Sequence, residues 1–170
     1  MLMHSPAAEI PAEYKVGIAE GIICIPPGRL IALGLGSCVG VTILDVVNGI
    51  GGMAHIMLPE SKVFTDNSRP FKFVDMALPL LLQKVLKQGA KRYNLQAKIA
   101  GGSLMFKSMS SSSLLNIGER NVNKCYKVLD ELNIKITGTD TGGDCGRTMI
   151  LDCSSRKVFV RTVGNNSKEI

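Results

Sequence analysis

Five short runs rich in Val and Ile fill the chain between residues 14 and 58, and Gly, Pro or Asn bounds each of them. Such runs are typical of strands that bury one face or both. The pair Asn48-Gly49, between the fourth and fifth runs, predicts a tight hairpin. The first third of the chain is therefore predicted to be β-structure with antiparallel neighbours, over residues 14–19, 21–25, 29–33, 39–45 and 50–58.

Two longer segments have helical patterns. Residues 70–88 begin with Pro70, which suits a first helical turn, and Gly89 suits the position just past the end. Pro79 lies inside this segment and is predicted to kink or split it. Residues 119–132 predict a second helix with one apolar stripe, made of Val122, Cys125, Tyr126, Leu129 and Leu132.

Further strands are predicted over residues 98–100, 134–139, 148–152 and 157–161. Strands outnumber helices, which predicts an α+β fold in which a large, mostly antiparallel sheet is layered with two main helices. No repeat or linker divides the chain, so residues 13–163 are predicted to form one domain. Residues 1–12 are interpreted as a flexible lead-in, 164–170 as a polar tail, and the serine-rich run 108–113 as a mobile loop.

Composition argues against several classes of function. The net charge is +6, but the basic residues are scattered without interleaved aromatics, so nucleic-acid binding is not expected. The longest apolar stretch, residues 76–82, falls far short of the roughly 20 residues that span a bilayer. The five cysteines form no close pair with metal-ligand spacing. We therefore expect reduced thiols, no bound metal, no membrane insertion and a cytoplasmic location.

Cys38 and His55 are the main catalytic candidates. The chain has only two histidines, and His4 lies in the lead-in. The predicted hairpin would bring the strand after Cys38 beside the strand that holds His55. A nearby imidazolium lowers the pKa of a thiol from its free value of about 8.5, so the pair predicts a Cys-His hydrolase or transferase. The competing interpretation is a buried strand-end thiol and a buried structural histidine.

Glycine-rich segments could line the same site. Gly36 and Ser37 precede the thiol, and the pairs Gly101-Gly102 and Gly142-Gly143 lie in other predicted loops. Backbone amides in such loops could hold a substrate amide or an oxyanion, although plain tight turns are an equal alternative. Cys145 lies in the last of these loops and is a weaker candidate for the nucleophile.

Five ordered segments together resemble the CheD family, the chemoreceptor glutamine deamidases of bacterial and archaeal chemotaxis. The resemblance extends from about residue 14 to residue 163, and the spacing of 17 residues between Cys38 and His55 agrees with it. The segments are residues 33–39 (LGLGSCV), 53–59 (MAHIMLP), 101–106 (GGSLMF), 117–121 (IGERN) and 142–147 (GGDCGR).

The resemblance implies an activity and its residues. Cys38 would be the nucleophile and His55 the base in hydrolysis of receptor glutamine side chains to glutamate and ammonia, through a thioester and without a cofactor. The implied fold is an α/β sandwich. The implied partners are the cytoplasmic domains of chemoreceptors and a CheC-type phosphatase.

One position departs from the family pattern. The family usually has a threonine six residues before the cysteine as its third catalytic residue, and Ala32 stands there in this chain. Ser37, Thr42 or a backbone carbonyl could orient the imidazole instead, and the sequence does not choose among them. Two other hypotheses stay open: a non-catalytic adaptor that binds a CheC-type phosphatase and receptors, and a thiol redox sensor that pairs Cys38 with Cys24 or Cys145.

Overall fold

The computed structural model describes residues 11–104, 116–162, 164 and 167–170. The predicted loop at 108–113 therefore lies outside the described residues. Within them the chain forms ten strands and two α-helices, with short 3-10 helices at Pro70–Lys72 and Arg92–Asn94. In chain order the elements are β1 (Glu13–Lys15), β2 (Glu20–Cys24), β3 (Arg29–Leu35), β4 (Val39–Asp45), β5 (Gly51–Ile56), α1 (Val74–Lys87), β6 (Leu95–Gly101), α2 (Ile117–Glu131), β7 (Lys135–Thr141), β8 (Arg147–Asp152), β9 (Lys157–Thr162) and β10 (Lys168–Glu169).

The strands form two five-stranded sheets. Sheet I has the order β1-β3-β8-β9-β10, and sheet II has the order β2-β5-β4-β6-β7. Most neighbours are antiparallel, while β1 pairs with β3 and β6 with β7 in parallel. The predicted α+β sandwich is confirmed, and the strands expected in one large sheet are divided between two.

Sheet II is the middle layer, because its central strands are buried on both faces. Val39, Val41 and Ile43 of β4 belong to the core formed with α1 and α2. Leu44 belongs to a second core, which is shared with sheet I. The order of layers is thus helices, sheet II, sheet I. Since side chains alternate along a strand, every second residue of β4 and β5 points into the space between the sheets.

Both helices lie in the segments predicted for them, but the start of α1 and the effect of Pro79 differ from the prediction. The first turn after Pro70 is a 3-10 helix, and α1 begins at Val74 and runs without interruption through Pro79. The ring of Pro79 is exposed, so water can satisfy the carbonyl that the proline leaves without a partner. The α2 helix is capped by Asn116, whose side chain accepts a hydrogen bond from the Glu119 N–H at 3.0 Å. Neither of the described helices is long and apolar enough to span a bilayer.

Candidate functional site

The position of Cys38 is set by an irregular end of β3. The pairing of β3 with β8 shifts register between Ala32 and Leu35, and Gly34 adopts a φ of 67° there. The chain then bends through residues 36–38 and enters β4. Cys38 is half-buried at this bend, so its thiol sits at the edge of the core between the sheets.

His55 points into the same layer. It lies directly opposite Gly40 across the β4–β5 pair, and Cys38 is two residues before Gly40. Cys38 directly precedes β4 and packs against the core toward sheet I, and His55 lies on that same face of β5 together with Met53. The two candidates are therefore diagonal neighbours across the β4–β5 pair. The predicted hairpin thus brings the two candidates onto one face. They are not directly opposite each other, because the cross-strand partner of His55 is two residues after Cys38.

The imidazole of His55 is buried, with only 2% of the residue exposed. Its Nδ1 lies 3.4 Å from the carbonyl oxygen of Val16. A carbonyl oxygen only accepts, so this contact requires the tautomer that carries its proton on Nδ1. Nε2 is buried without a hydrogen-bond partner among the described residues. It is therefore the nitrogen left to act as a base.

The electrostatics of the pair favour neutral groups at rest. Burial raises the pKa of the Cys38 thiol, and its own backbone N–H offsets this only in part. Burial lowers the pKa of His55, while the Val16 carbonyl and the charge of Glu20 oppose that shift. These directions differ from the ion pair expected from the sequence, because desolvation penalises both the thiolate and the imidazolium. Proton transfer to Nε2 would then accompany attack instead of preceding it.

The group that orients His55 in this structure is not the threonine of the family pattern. Ala32 is fully buried on β3 and offers only a methyl group. Thr42 faces the layer between the sheets, but its Oγ1 makes no hydrogen bond within the described structure. Of the alternatives that the sequence leaves open, a backbone carbonyl, that of Val16, is the group beside Nδ1.

Of the glycine pairs predicted to line the site, Gly101-Gly102 contacts the Cys38 bend, and Gly142 contacts Gly101. The N–H of Gly102 donates to the Cys38 carbonyl at 2.9 Å, and the N–H of Gly142 donates to the Gly101 carbonyl at 2.9 Å. These two amides are thus already engaged. A Cβ on Gly101 would lie 2.3 Å from the Cys38 carbonyl oxygen, so only glycine permits this approach. A cavity of about 280 Å³ opens beside them, lined in part by Gly102, Gly142 and Gly143.

Gly36 and Ser37 complete the bend. The Gly36 carbonyl accepts from the Ser103 N–H at 2.8 Å. Within the described residues, the N–H groups of Ser37 and Cys38 donate to no backbone carbonyl outside the regular strands. The Ser37 N–H is therefore available for a substrate oxygen, while the Cys38 N–H interacts with its own thiol at rest.

Asn121 on α2 is a site residue that the sequence did not single out. Its Nδ2 donates to the Ser37 carbonyl at 3.0 Å and to the Met57 carbonyl at 2.8 Å. It therefore joins the segment that ends at Cys38 to the segment that follows His55. A fully buried amide on the apolar side of α2 was the available signal, because an uncharged polar group there needs buried partners.

A second missed network fixes the glycine loops. Arg147 forms a buried ion pair with Asp140, with Nε 2.9 Å from Oδ1, and its Nη1 lies 2.6 Å from Ser103 Oγ. Ser103 in turn donates to the carbonyl of Cys145 at 2.7 Å. The Gly101-Gly102 segment and the Gly142-Gly143 loop are thereby held together. Removing one member of such a network leaves a buried polar group unpaired.

The other cysteines occupy different surroundings. Cys145 is exposed, while Cys24, Cys125 and Cys153 are buried. Cys24 lies opposite Gly51, at the end of β5 away from His55, and its thiol interacts with that of Cys153. Cys24 is thus remote from Cys38 along the strand. No cluster of three or more potential metal ligands exists among the residues that the structure describes.

Comparisons with known proteins agree on one family. Residues 57–162 match the family model described as CheD chemotactic sensory transduction. A protein of Moorella thermoacetica, named probable chemoreceptor glutamine deamidase CheD, is 51% identical over 161 residues, which cover 94% of this chain and 96% of that protein. Proteins of the same name from Clostridium kluyveri and Clostridium novyi are 49% and 48% identical over 158 residues, covering 93% of this chain and 98% of each relative.

The two kinds of comparison cover different parts of the site. The match to the family model begins at Met57, after both Cys38 and His55. The alignments with the relatives cover all but about a dozen residues of the chain, so they span both candidates. Similarity therefore extends over the bend, the hairpin and the glycine loops together.

Proposed function

The chain belongs to the CheD family, and from that premise we propose that it is a chemoreceptor glutamine deamidase with Cys38 as nucleophile and His55 as general base. The substrates would be glutamine side chains in the cytoplasmic domains of chemoreceptors, and the products would be glutamate and ammonia. The observation that carries this assignment is the placement of Cys38 and His55 on one face, with His55 Nε2 unpartnered.

The neutral resting state of both groups supports attack coupled to proton transfer. As the Cys38 sulfur bonds to the carboxamide carbon, its proton passes to Nε2 of His55. The negative charge that develops on the amide oxygen would be met by the N–H groups of Ser37 and Cys38, with the glycine loops as the outer wall. The imidazolium then returns the proton to the departing nitrogen as the C–N bond breaks, and ammonia leaves.

Hydrolysis of the thioester repeats the same steps with water. The imidazole takes a proton from water, the hydroxyl bonds to the carbonyl carbon, and the carbon–sulfur bond breaks. The sulfur recovers the proton, and a carboxylic acid is released. The sum is one amide and one water converted into one acid and one ammonia, so no cofactor is needed.

Two finer assignments belong to the same proposal. A CheC-type phosphatase is the proposed binding partner, and the cytoplasm is the proposed location because the substrate domains lie there. The adaptor hypothesis is favoured only by Ala32, which lacks the hydroxyl of the usual third residue. Binding that survives Cys38→Ala, together with an unreactive wild-type protein, would favour the adaptor.

The test is an incubation of the purified protein with a receptor cytoplasmic fragment, followed by ammonia assay and peptide mass spectrometry. We expect ammonia release and the small mass gain that accompanies each conversion of amide to acid. Cys38→Ala should abolish both, and His55→Gln should nearly do so. Cys145→Ala is the matched control, since the Cys145 thiol is exposed and contacts Asp144, and it should retain activity.

A further inference from the structure

The segment Val16–Glu20 passes beside the imidazole of His55 and is attached to both sheets. The Val16 N–H donates to the Ile31 carbonyl of sheet I at 2.8 Å, and the Ala19 N–H donates to the carbonyl of His55 itself at 2.8 Å. Val16 and Ala19 are both buried. We call Val16–Glu20 the strap, because it connects the sheets across the buried histidine.

The strap has a fixed internal conformation. The Glu20 N–H donates to the Gly17 carbonyl at 3.1 Å, and Ala19 adopts a φ of 58°, which is rare for a residue with a Cβ. The Glu20 carboxylate closes the turn from the other side, because its Oε2 accepts from the Gly17 N–H at 2.8 Å. Arg69 adds an outer contact, with Nη2 3.1 Å from the Ile18 carbonyl.

This conformation points the Val16 carbonyl at Nδ1 of His55. The Val16 carbonyl and the Gly17 N–H belong to one planar trans peptide unit and point in opposite directions. The bond from that N–H to Glu20 therefore sets the direction of the carbonyl toward Nδ1. The separation of 3.4 Å is long for a hydrogen bond, and catalytic contacts commonly shorten when substrate binds. The partner of a histidine ring nitrogen fixes its tautomer, and hence which nitrogen is free.

Glu20 also places a negative charge close enough to His55 to favour its protonated form. It is the direct cross-strand partner of His55 in the pairing of β2 with β5, so both side chains lie on the same face. A carboxylate in that position favours the imidazolium. The other titratable groups on this face include the thiols of Cys38, Cys24 and Cys153. Arg147 shares the face of Met149 and Leu151 on β8, and it is paired with Asp140. Thr42 adds a buried hydroxyl, and the core cluster around these groups is apolar.

We propose that Glu20 is a positioning residue for the deamidation, which fixes the strap so that the Val16 carbonyl selects the Nδ1–H tautomer of His55, and whose charge stabilises the imidazolium formed during attack. This inference rests on the proposed function and deepens it. The strap takes the orienting role at a site where Ala32 has no hydroxyl. Glu20 need not touch the substrate to do so.

Two substitutions separate the two effects. Glu20→Gln keeps an oxygen for the Gly17 N–H but removes the charge, so the Nδ1–H tautomer should persist. The acid limb of the pH–kcat profile should shift to lower pH, since the imidazolium loses a stabilising charge. Glu20→Ala removes both, so kcat should fall about tenfold with KM unchanged, as expected when the general base is partly misdirected. Glu13→Ala, an exposed residue of β1, is the control.

The tautomer can be read without any assay of activity. Long-range proton–nitrogen NMR of protein labelled with 15N-histidine distinguishes the Nδ1–H and Nε2–H forms, and His4→Ala assigns the signal of His55. We expect Nδ1–H in the wild type and in Glu20→Gln, and a mixture in Glu20→Ala. An unchanged tautomer in Glu20→Ala, together with a wild-type pH profile in Glu20→Gln, would overturn the proposal.

The outcomes also separate this inference from the function on which it rests. A wild-type protein without deamidase activity would defeat the proposed function, and the NMR result alone would then decide the role of the strap. If the protein is active but substitution of Glu20 changes neither the tautomer of His55 nor the pH profile, the proposed role of Glu20 is wrong and the proposed function stands. If Glu20→Ala does not fold, the shift of the acid limb in Glu20→Gln decides.

Discussion

Gly40 lies directly opposite His55, and a Cβ at Gly40 would come within 2.8 Å of Leu35 Cδ1 and 2.9 Å of Met149 Sδ. The cross-strand neighbour of the base therefore has no side chain, and sheet I packs directly onto its backbone. Gly40 lies between Cys38 and His55, because it is opposite His55 and two residues after Cys38. The absence of a side chain at Gly40 thus serves both the packing of the sheets and the approach of the thiol to the imidazole.

Gly40→Ala should harm both properties. The added methyl must displace Leu35 or Met149 in a close-packed layer, which costs about 1–3 kcal/mol of unfolding free energy. We expect a fall in kcat as well, because any shift of β4 moves Cys38 relative to His55. Denaturant unfolding and the deamidation assay measure the two effects.

Gly146→Ala is the matched control for that substitution. Its added Cβ meets no atom within 4 Å, and its backbone is not in the left-handed region. We expect a change within about 0.5 kcal/mol, as for ordinary surface substitutions. Equal losses for both variants would contradict the packing argument at Gly40.

Asn121→Ala should impair catalysis more than folding. It removes the amide that joins the Ser37 and Met57 carbonyls, so the bend at Cys38 and the segment after His55 can move apart. Misplacement by a fraction of an ångström is expected to lower kcat roughly tenfold or more. The two partly buried carbonyls lose a donor, which costs about 1–3 kcal/mol of stability.

Asn123→Ala on the same helix is the comparison, since Asn123 is exposed. It should leave kcat and the melting temperature near the wild-type values. If Asn121→Ala loses stability but keeps its kcat, then Asn121 supports the fold without positioning the site.

Alkylation of Cys38 should require alkaline pH. The thiolate is the reactive form, and burial raises the pKa of Cys38, so the reactive fraction grows only above the range of a free thiol, about pH 8.5. Burial also lowers the pKa of His55, so little imidazolium is present near neutral pH to favour a thiolate. The measurement is the rate of iodoacetamide labelling across pH with peptide mapping, in a Cys145→Ala background.

A small-molecule thiol in the same buffers gives the reference curve. Rapid labelling of Cys38 below neutral pH would show a preformed ion pair, and proton transfer coupled to attack would then be the wrong mechanism. A curve displaced to higher pH than that of the reference thiol is the result we expect.

Asp45 should make the fold sensitive to acid. Burial alone would raise its pKa, but hydrogen bonds from Lys91 N–H, the Asn48 side chain and the N–H groups of Asn48 and Val47 outweigh burial and lower the pKa to about 2. A carboxyl whose pKa is lowered by folding contributes stability above its unfolded pKa, near 4, and loses it as the pH falls toward 2. The contribution is about 2 kcal/mol.

Asp45→Asn should therefore lower the unfolding free energy at pH 7 and flatten its decline between pH 5 and 2, by about the same 2 kcal/mol. Asp130→Asn, at an exposed position of α2, should keep the wild-type dependence on pH. A wild-type acid profile in Asp45→Asn would mean that the turn between β4 and β5 does not depend on this carboxylate.

The sequence predicted the parts of the site that depend on local pattern. Alternating Val and Ile with Asn48-Gly49 is enough to predict a hairpin, and the hairpin pairs the strand that follows Cys38 with the strand that holds His55. The register of the β4–β5 pair could not be predicted from the sequence, because it depends on the turn that Asp45 stabilises between these strands. A shift by one residue would have put the two side chains on opposite faces.

The partner of His55 Nδ1 could not be predicted, because it is a backbone carbonyl. Residues 14–19 have the composition of one strand, yet β1 ends at Lys15 and Ala19 turns with a positive φ. That turn depends on the Glu20 carboxylate and on both sheets, which are contacts distant from any local pattern. The division of the strands into two sheets has the same origin, since strands buried on both faces have similar compositions in either sheet.

The role of Asn121 could be predicted from the sequence only in part. Its place on the apolar side of α2 can be read from the helical spacing, and a buried amide predicts buried hydrogen-bond partners. Which partners it finds depends on how α2 crosses sheet II. The sequence could thus have predicted that Asn121 has buried partners, but not that these are the carbonyls of Ser37 and Met57.

The most direct test of the central claim is covalent capture of the nucleophile by a receptor peptide in which the target glutamine is replaced by its diazoketone analogue. We expect a single adduct on Cys38, found by peptide mapping, absent in Cys38→Ala and formed much more slowly in His55→Gln. An adduct on Cys145 instead, or labelling of Cys38 that is indifferent to the loss of His55, would contradict the assignment of this pair as nucleophile and base.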